Sequence, residues 1–160
     1  MSELEVKDVY QTTRHTINEL LVGLFNYILY IEERNLKEKG VPLTMTEVHI
    51  LENIQKASNN TMSHIAGRMM VTNGTLTTNV GKLIERGYVE RYRDQKDKRI
   101  VRLTLAPKAY DILKVHEEFH ENLIDKAVGD LGLAENEVLM GSLERILNYF
   151  RDEYRIQANI

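Results

Sequence analysis

The chain has 160 residues, a formal net charge of −3 and no cysteine. This length suits one domain with a real core, and the lack of cysteine excludes disulfides, thiolate metal sites and a cysteine nucleophile. The amino terminus lacks the basic segment and apolar run of a signal peptide, and the longest apolar run, Leu20 to Ile31, is too short to span a bilayer. We therefore expect a cytoplasmic protein.

Apolar residues at helical spacing predict a long first helix over residues 6–39, ended by Gly40 and Pro42. Between Leu20 and Ile31 this helix is apolar on nearly all sides, which favours burial against a second subunit as well as its own domain. Two shorter helices follow. Thr44 or Thr46 can cap the second, and Thr61 can cap the third. Their expected buried stripes are Val48, Leu51 and Ile54, and then Met62, Ile65, Ala66 and Met69.

A fourth helix is predicted to begin at the N-cap Thr72 and to end at Gly87. Its buried stripe would be Leu76, Val80, Leu83 and Ile84, which leaves a small polar face outside. An ordinary amphipathic helix is one interpretation. The other is a helix for the major groove of DNA, where Thr and Asn meet base edges and Lys meets phosphate or guanine. The residues that would contact DNA are Thr72, Asn73, Thr75, Thr77, Thr78, Asn79 and Lys82.

Two strands are predicted next, over residues 88–93 and 100–105, since both segments are rich in alternating, β-branched and aromatic residues. The polar loop between them would form a basic wing, with Lys96, Asp97, Lys98 and Arg99 as candidate DNA contacts. Arg99 suits the minor groove, where narrow A·T-rich tracts attract guanidinium groups. Asp97 would hold Arg99 by a carboxylate pair, or it would simply cap the turn.

Charge is unevenly distributed along the chain. Residues 82–108 contain nine basic and four acidic residues, whereas the rest contains twelve basic and twenty acidic residues. One basic face on an acidic protein is what neutralising DNA phosphates requires. A solvated, charged surface hairpin would show the same bias.

After Pro107 the pattern predicts a fifth helix and, from about Glu135, a sixth. Both are more apolar than a monomer needs. The whole order predicts a mainly α protein with a small β-hairpin, a winged helix-turn-helix with N- and C-terminal dimerisation helices. We expect a single domain over residues 1–160, with the winged lobe at 44–106 and dimerisation helices at 6–39 and 107–157.

Three segments together resemble the MarR family of bacterial transcription regulators: residues 69–72, residues 83–89, and the Asp97-Lys98-Arg99 sequence of the wing. The resemblance implies a homodimer whose two winged lobes bind the half-sites of a pseudo-palindromic DNA operator. It identifies Thr72 to Arg86 as the recognition helix and matches Asp97 and Arg99 to the family's Asp-x-Arg pattern. We therefore expect a regulator and not an enzyme.

Within that family, several short matches are similar to the repressors of fatty-acid synthesis. They include Phe25-Asn26, His49, Gly74-Thr75, His116 and Phe119-His120. This resemblance implies control of fatty-acid synthesis genes, with acyl chains on acyl carrier protein as the corepressor and no cofactor.

The histidines indicate a rival effector. His116 and His120 lie at i and i+4 on one helix, a spacing used by metal ligands, and His49 lies on another helix. The zinc-sensing branch of the MarR family is similar here, with carboxylates of the first helix such as Glu32 completing the set. Zinc would take neutral imidazoles and a carboxylate oxygen in a tetrahedron. Such histidine pairs also occur as packing or hydrogen-bonding residues.

Other classes of protein fit less well. The sequence has no nucleophile elbow, phosphate loop or dinucleotide fingerprint. Glu32 and Glu33 are adjacent and point apart on a helix, so they cannot act as one acid/base pair. A winged helix that binds only protein is disfavoured by the basic wing and the polar recognition face.

Overall fold

Helices make up most of the computed structural model, which describes residues 3–129, 132 and 135–153. The chain divides into two compact units, the first up to Pro42 and the second from Leu43. The elements are α1 (Glu3–Glu38), α2 (Met45–Lys56), α3 (Met62–Arg68), α4 (Asn73–Glu85), β1 (Val89–Arg93), β2 (Val101–Leu105), α5 (Pro107–Val128) and α6 (Glu137–Glu153). The predicted fold class, mainly α with a small β-hairpin, is confirmed. Residues 130, 131, 133, 134 and 154–157 of the expected C-terminal segment lie outside the described residues.

The first unit consists of α1, a helix of 36 residues. It closes where predicted, because Gly40 adopts a left-handed φ of 68° and lets Val41 N–H donate to Leu36 O at 2.9 Å. Many apolar side chains of α1 are exposed, among them Leu20 and Phe25, at 54% and 63%. In the part of the chain that the structure describes, no helix combines the length and apolarity needed to cross a membrane.

The second unit contains a core that holds α2, α3, α4 and the hairpin together. Its fully buried side chains come from every one of these elements: Val48, Leu51, Ile65, Leu76, Leu83, Val89 and Leu103. The predicted stripe of α4 is confirmed for Leu76, Val80 and Leu83, whereas Ile84 is only half-buried. The strands pair antiparallel from Val89↔Leu105 to Arg93↔Val101. Burial of these residues fixes which side of α4 faces outward.

The N-terminus of α2 is capped by Thr44 and not by Thr46. Thr44 Oγ1 accepts from Glu47 N–H at 3.3 Å, and Glu47 Oε2 accepts from Thr44 N–H at 2.8 Å, which completes a capping box. Both carboxylate oxygens of the buried Glu47 also accept from Arg86 Nη1 at 3.3 Å. The start of α2 is thereby tied to the end of α4.

These contacts predict different costs for two neighbouring substitutions. Thr44→Ala should lower the free energy of unfolding by about 1 kcal/mol, because it removes the acceptor for Glu47 N–H. Thr46→Ala changes an exposed side chain inside the helix and should alter stability by less than about 0.5 kcal/mol. Urea unfolding followed by circular dichroism measures both. Equal losses in the two variants would show that the capping box contributes nothing.

Candidate nucleic-acid interface

The turn between α3 and α4 sets where α4 begins. Met70 adopts a φ of 55°, a left-handed conformation that is uncommon for a residue with a side chain. Val71 N–H donates to Ala66 O at 3.0 Å across the turn. Thr72 is then the N-cap of α4, where its Oγ1 accepts from Thr75 N–H at 3.1 Å. The N-cap predicted from the sequence is therefore confirmed.

The outer face of α4 consists of small polar side chains. Thr72, Asn73, Thr75, Thr77, Thr78 and Lys82 are exposed, and Asn79 is half-buried on the flank. The hydroxyls of Thr77 and Thr78 donate back to the helix, to Asn73 O at 2.7 Å and Gly74 O at 3.2 Å. With their protons donated to the helix, these exposed hydroxyls are left to act as acceptors beside their methyl groups. They complement the amino groups of adenine and cytosine and the methyl group of thymine in the major groove.

The wing is a tight turn built on two aspartates. Asp94 Oδ1 accepts from Lys96 N–H at 2.8 Å and from Asp97 N–H at 3.1 Å. Asp97 Oδ1 in turn accepts from Arg99 N–H at 2.9 Å, the turn-capping role that was the alternative to a side-chain ion pair. Lys96, Asp97, Lys98 and Arg99 are all exposed. The turn therefore leaves its three cations directed at solvent.

The basic footprint is smaller than the sequence count indicated. Four of the nine basic residues between Lys82 and Lys108 are engaged within the protein: Arg86 with Glu47, Arg93 with Lys98 O, Arg102 with Asp94, and Lys108 with Arg86 O and the ring of Tyr88. The exposed cations that remain are Lys82, Arg91, Lys96, Lys98 and Arg99. Arg91 adds a candidate phosphate contact that the sequence reasoning did not single out.

A cleft of about 530 Å³ lies between the wing and α3. It is bordered by Asn73 at the start of α4 and by Arg99 of the wing, so the structure brings these two predicted site residues together. Its lining residues are Asn59, Thr61, Met62, Ser63, Asn73, Arg99, Ile100 and Val101. Two lining residues were not singled out from the sequence: Asn59, whose signal was the polar loop before α3, and Ser63, an exposed residue of α3 itself.

The predicted histidines of α2 and α5 meet within the second unit. The rings of His49 and His116 have centroids 5.4 Å apart, and His116 Nε2 lies 3.2 Å from His120 Nε2. Glu52 Oε1 lies 3.9 Å from His116 Nδ1. Burial raises the pKa of Glu52, but a hydrogen bond from Lys56 and the nearby histidines outweigh burial and lower this pKa overall. Glu32 lies on α1 and thus in the first unit.

The α2–α3–α4–β1–β2 order, the polar face of α4 and the basic wing define a winged helix-turn-helix DNA-binding protein. The MarR family model matches residues 43–101. FabT from Streptococcus pneumoniae, solved in complex with DNA, is 34% identical with a TM-score of 0.78, over 87% of this chain and 98% of that chain. The chain belongs to the MarR family, and it is a DNA-binding transcription regulator and not an enzyme.

Two curated relatives are regulators as well. BilQ from Clostridium symbiosum is 30% identical over 69% of this chain and 76% of its own length. The transcriptional regulator ZitR from Lactococcus lactis is 28% identical over 74% of this chain and 80% of its own length. The similarity therefore extends well beyond the winged lobe.

If Arg99 enters the minor groove, Arg99→Ala should weaken binding to a DNA duplex selected by the wild-type protein from a random-sequence pool by about tenfold or more, because that contact would be lost. The slope of log affinity against log salt should also fall by about 0.9 if Arg99 neutralises one phosphate. Fluorescence anisotropy at several salt concentrations measures both. Lys114→Ala removes an exposed cation of α5 and is the matched control. Unchanged binding by Arg99→Ala, with an intact circular dichroism spectrum, would exclude the wing from the interface.

Proposed function

We propose that the protein is a homodimeric repressor that binds a pseudo-palindromic operator and controls fatty-acid synthesis genes. The observation that carries this proposal is the 34% identity with FabT, which extends over 98% of that chain. Thr72, Asn73, Thr75, Thr77, Thr78, Asn79 and Lys82 would contact the major groove. Lys96, Asp97, Lys98 and Arg99 would form the wing contact, with Arg99 entering the minor groove.

Exposed apolar residues of the C-terminal helix support a dimer. α6 has no buried residue, yet Leu143, Ile146, Leu147 and Phe150 recur at helical spacing and are 43%, 40%, 47% and 38% exposed. Covering such a stripe with another apolar surface is favourable by about 25 cal/mol for each Å² of apolar surface removed from water. We assign its cover to a second copy of the chain, with residues 6–39 and 107–157 as dimerisation helices and residues 44–106 as the DNA-binding lobe. The dimer would place its two recognition helices roughly 34 Å apart, one turn of DNA.

The effector we propose is an acyl chain carried on acyl carrier protein, acting as corepressor. Its support is the resemblance to fatty-acid repressors at residues such as His49, His116 and Phe119-His120, together with the FabT likeness. The dimer would have two geometries, one whose wings match the operator and one whose wings do not, and the corepressor would bind the first more tightly. It can shift DNA binding by no more than the difference between its affinities for these two geometries.

A zinc-responsive regulator is the second candidate, favoured by one distance. Two imidazole nitrogens on a tetrahedral zinc ion, each about 2.0–2.1 Å from the metal, stand about 3.3 Å apart. The Nε2 atoms of His116 and His120 are 3.2 Å apart. His49 would be a third ligand. Glu52 adds a carboxylate beside the set, with Oε1 3.9 Å from His116 Nδ1. Glu32 is the carboxylate that the family resemblance offers. The edge-to-face ring contacts of these histidines equally suit simple packing.

The corepressor proposal predicts that acyl-loaded carrier protein tightens DNA binding about tenfold, within the usual range of allosteric coupling. A gel-shift titration on the selected duplex, with long-chain acylated and unacylated carrier protein, measures the change. Linkage requires that the duplex tighten carrier-protein binding by the same factor. Equal DNA affinity with both forms would reject the corepressor and leave the DNA-binding role intact.

The zinc proposal predicts binding tighter than about micromolar when metal-free protein is titrated with Zn²⁺ in a calorimeter. Imidazoles must be deprotonated to bind, so more protons should be released as the pH falls. His120→Gln should weaken binding at least about tenfold, whereas His15→Gln, an exposed histidine of α1, should not. Wild-type affinity weaker than micromolar would remove zinc from consideration.

A further inference from the structure

A chain of polar contacts joins the wing to the loop before α3. At its centre, Arg102 Nε of β2 donates to Asp94 Oδ2 at 2.5 Å. The other oxygen of Asp94 accepts the N–H groups of Lys96 and Asp97 in the wing turn. One carboxylate therefore holds both the wing turn and the Arg102 guanidinium. The hydrogen bond from Arg102, with the two backbone N–H groups, lowers the pKa of Asp94 to about 2, so the carboxylate is charged at neutral pH.

The far side of Arg102 is bonded to the α2–α3 loop. Its Nη1 donates to Asn59 Oδ1 at 2.9 Å and to Asn60 Oδ1 at 3.4 Å. Leu103, the next residue of β2, donates its N–H to Asn60 O at 2.9 Å and accepts from the Asn60 side chain. Because this loop leads directly into α3, the contacts fix β2 against the helix-turn-helix.

We propose that Asp94 and Arg102 are positioning residues for DNA binding, which hold the wing at a set distance from the recognition helix and do not themselves contact DNA. Arg102 is basic and lies in the hairpin, yet its guanidinium is bonded to Asp94 and Asn59 and its side chain is only 26% exposed. We call the hydrogen bonds from Asp94 through Arg102 to Asn59 the Asp94–Arg102 relay. This relay would set the width of the cleft between Arg99 and Asn73, which border the surface that has to match the DNA. The proposal rests on the DNA-binding role of the family and not on the identity of the effector.

Whether Asp94→Asn tightens or weakens DNA binding separates a positioning role from a purely electrostatic one. Asp94→Asn removes a negative charge beside the DNA phosphates, so electrostatics alone predicts tighter binding. The amide oxygen of the substituted side chain would still accept from the N–H groups of Lys96 and Asp97, which preserves the turn. The amide nitrogen, however, would face Arg102 Nε, and two donors cannot bond. Positioning therefore predicts weaker binding to a specific site.

The experiment compares affinity for the selected duplex with affinity for a scrambled duplex of the same length. Asp94→Asn should bind the selected duplex about tenfold more weakly and the scrambled duplex as well as the wild type or slightly better, since non-specific binding depends on charge. A variant that is merely unstable would lose both affinities in proportion. Glu90→Gln, which removes an exposed carboxylate from the same hairpin, is the matched control and should show no specific loss.

Arg102→Gln is the second test, and Arg91→Gln is its charge-matched comparison, because it removes an exposed cation of the same hairpin that is a candidate phosphate contact and should lower the salt slope. Arg102→Gln should lose specific affinity without lowering the salt slope, whereas loss of a phosphate contact lowers that slope by about 0.9. The double variant with Asp94→Asn should be no weaker than Arg102→Gln alone, because both break one interaction. Asn59→Ala, at the exposed end of the relay, should give a smaller specific loss and keeps the test independent of the hairpin's own stability.

Three results would overturn the proposal. The first is selected-duplex binding by Asp94→Asn that equals or exceeds that of the wild type. The second is a salt slope lowered by about one in Arg102→Gln, which would make Arg102 a direct phosphate contact. The third is additive loss in the double variant, which would mean that the two residues act separately.

Discussion

Burial of Leu76, Val80 and Leu83 is the constraint on which the recognition surface depends. These side chains lie on one stripe of α4 and pack into the core with α2, α3 and the hairpin. With 3.6 residues per turn, fixing that stripe fixes the rotation of the helix, and Thr75, Thr78 and Lys82 must then face outward. A rotation by one residue, about 100°, would bury polar side chains and expose apolar ones. The same packing that stabilises the lobe therefore selects which residues of α4 face solvent, and these are the residues proposed to contact DNA.

The parts of the fold that the sequence predicts are those that depend on local periodicity. The caps at Thr44 and Thr72, the stripe of α4, the end of α1 at Gly40 and the two strands follow from patterns that span a few residues. Even the choice between Thr44 and Thr46 was available locally, since Glu47 stands three residues after Thr44 and completes a capping box. Partners distant in sequence were not available in this way.

The ion pairs show where that limit lies. Arg86 and Arg102 counted toward a basic footprint, but Arg86 bonds to Glu47, 39 residues earlier, and Arg102 bonds to Asp94 across the hairpin and to Asn59 in a preceding loop. No helical or strand period links Arg86 to Glu47 or Arg102 to Asn59. Asp94 and Arg102 are diagonal neighbours across the hairpin, which follows only once the strand register is known. Among the histidines, the i, i+4 spacing was enough to bring His116 and His120 together, whereas the position of His49 against them required the packing of α2 on α5.

Two internal constraints bear on how such a lobe can be regulated. The core fixes the rotation of α4, and the Asp94–Arg102 relay holds the wing to the loop before α3, so a ligand that acted inside the lobe would have to break buried packing or charged hydrogen bonds. If the protein is the dimer proposed above, the spacing between its two lobes is easier to change than the structure of either lobe. Two recognition helices must then reach half-sites one helical turn apart, and a small change in spacing weakens both contacts at once. The rigidity of the lobe therefore makes the dimer geometry the sensitive quantity, and the effector is best sought among ligands that bind the helices outside the lobe.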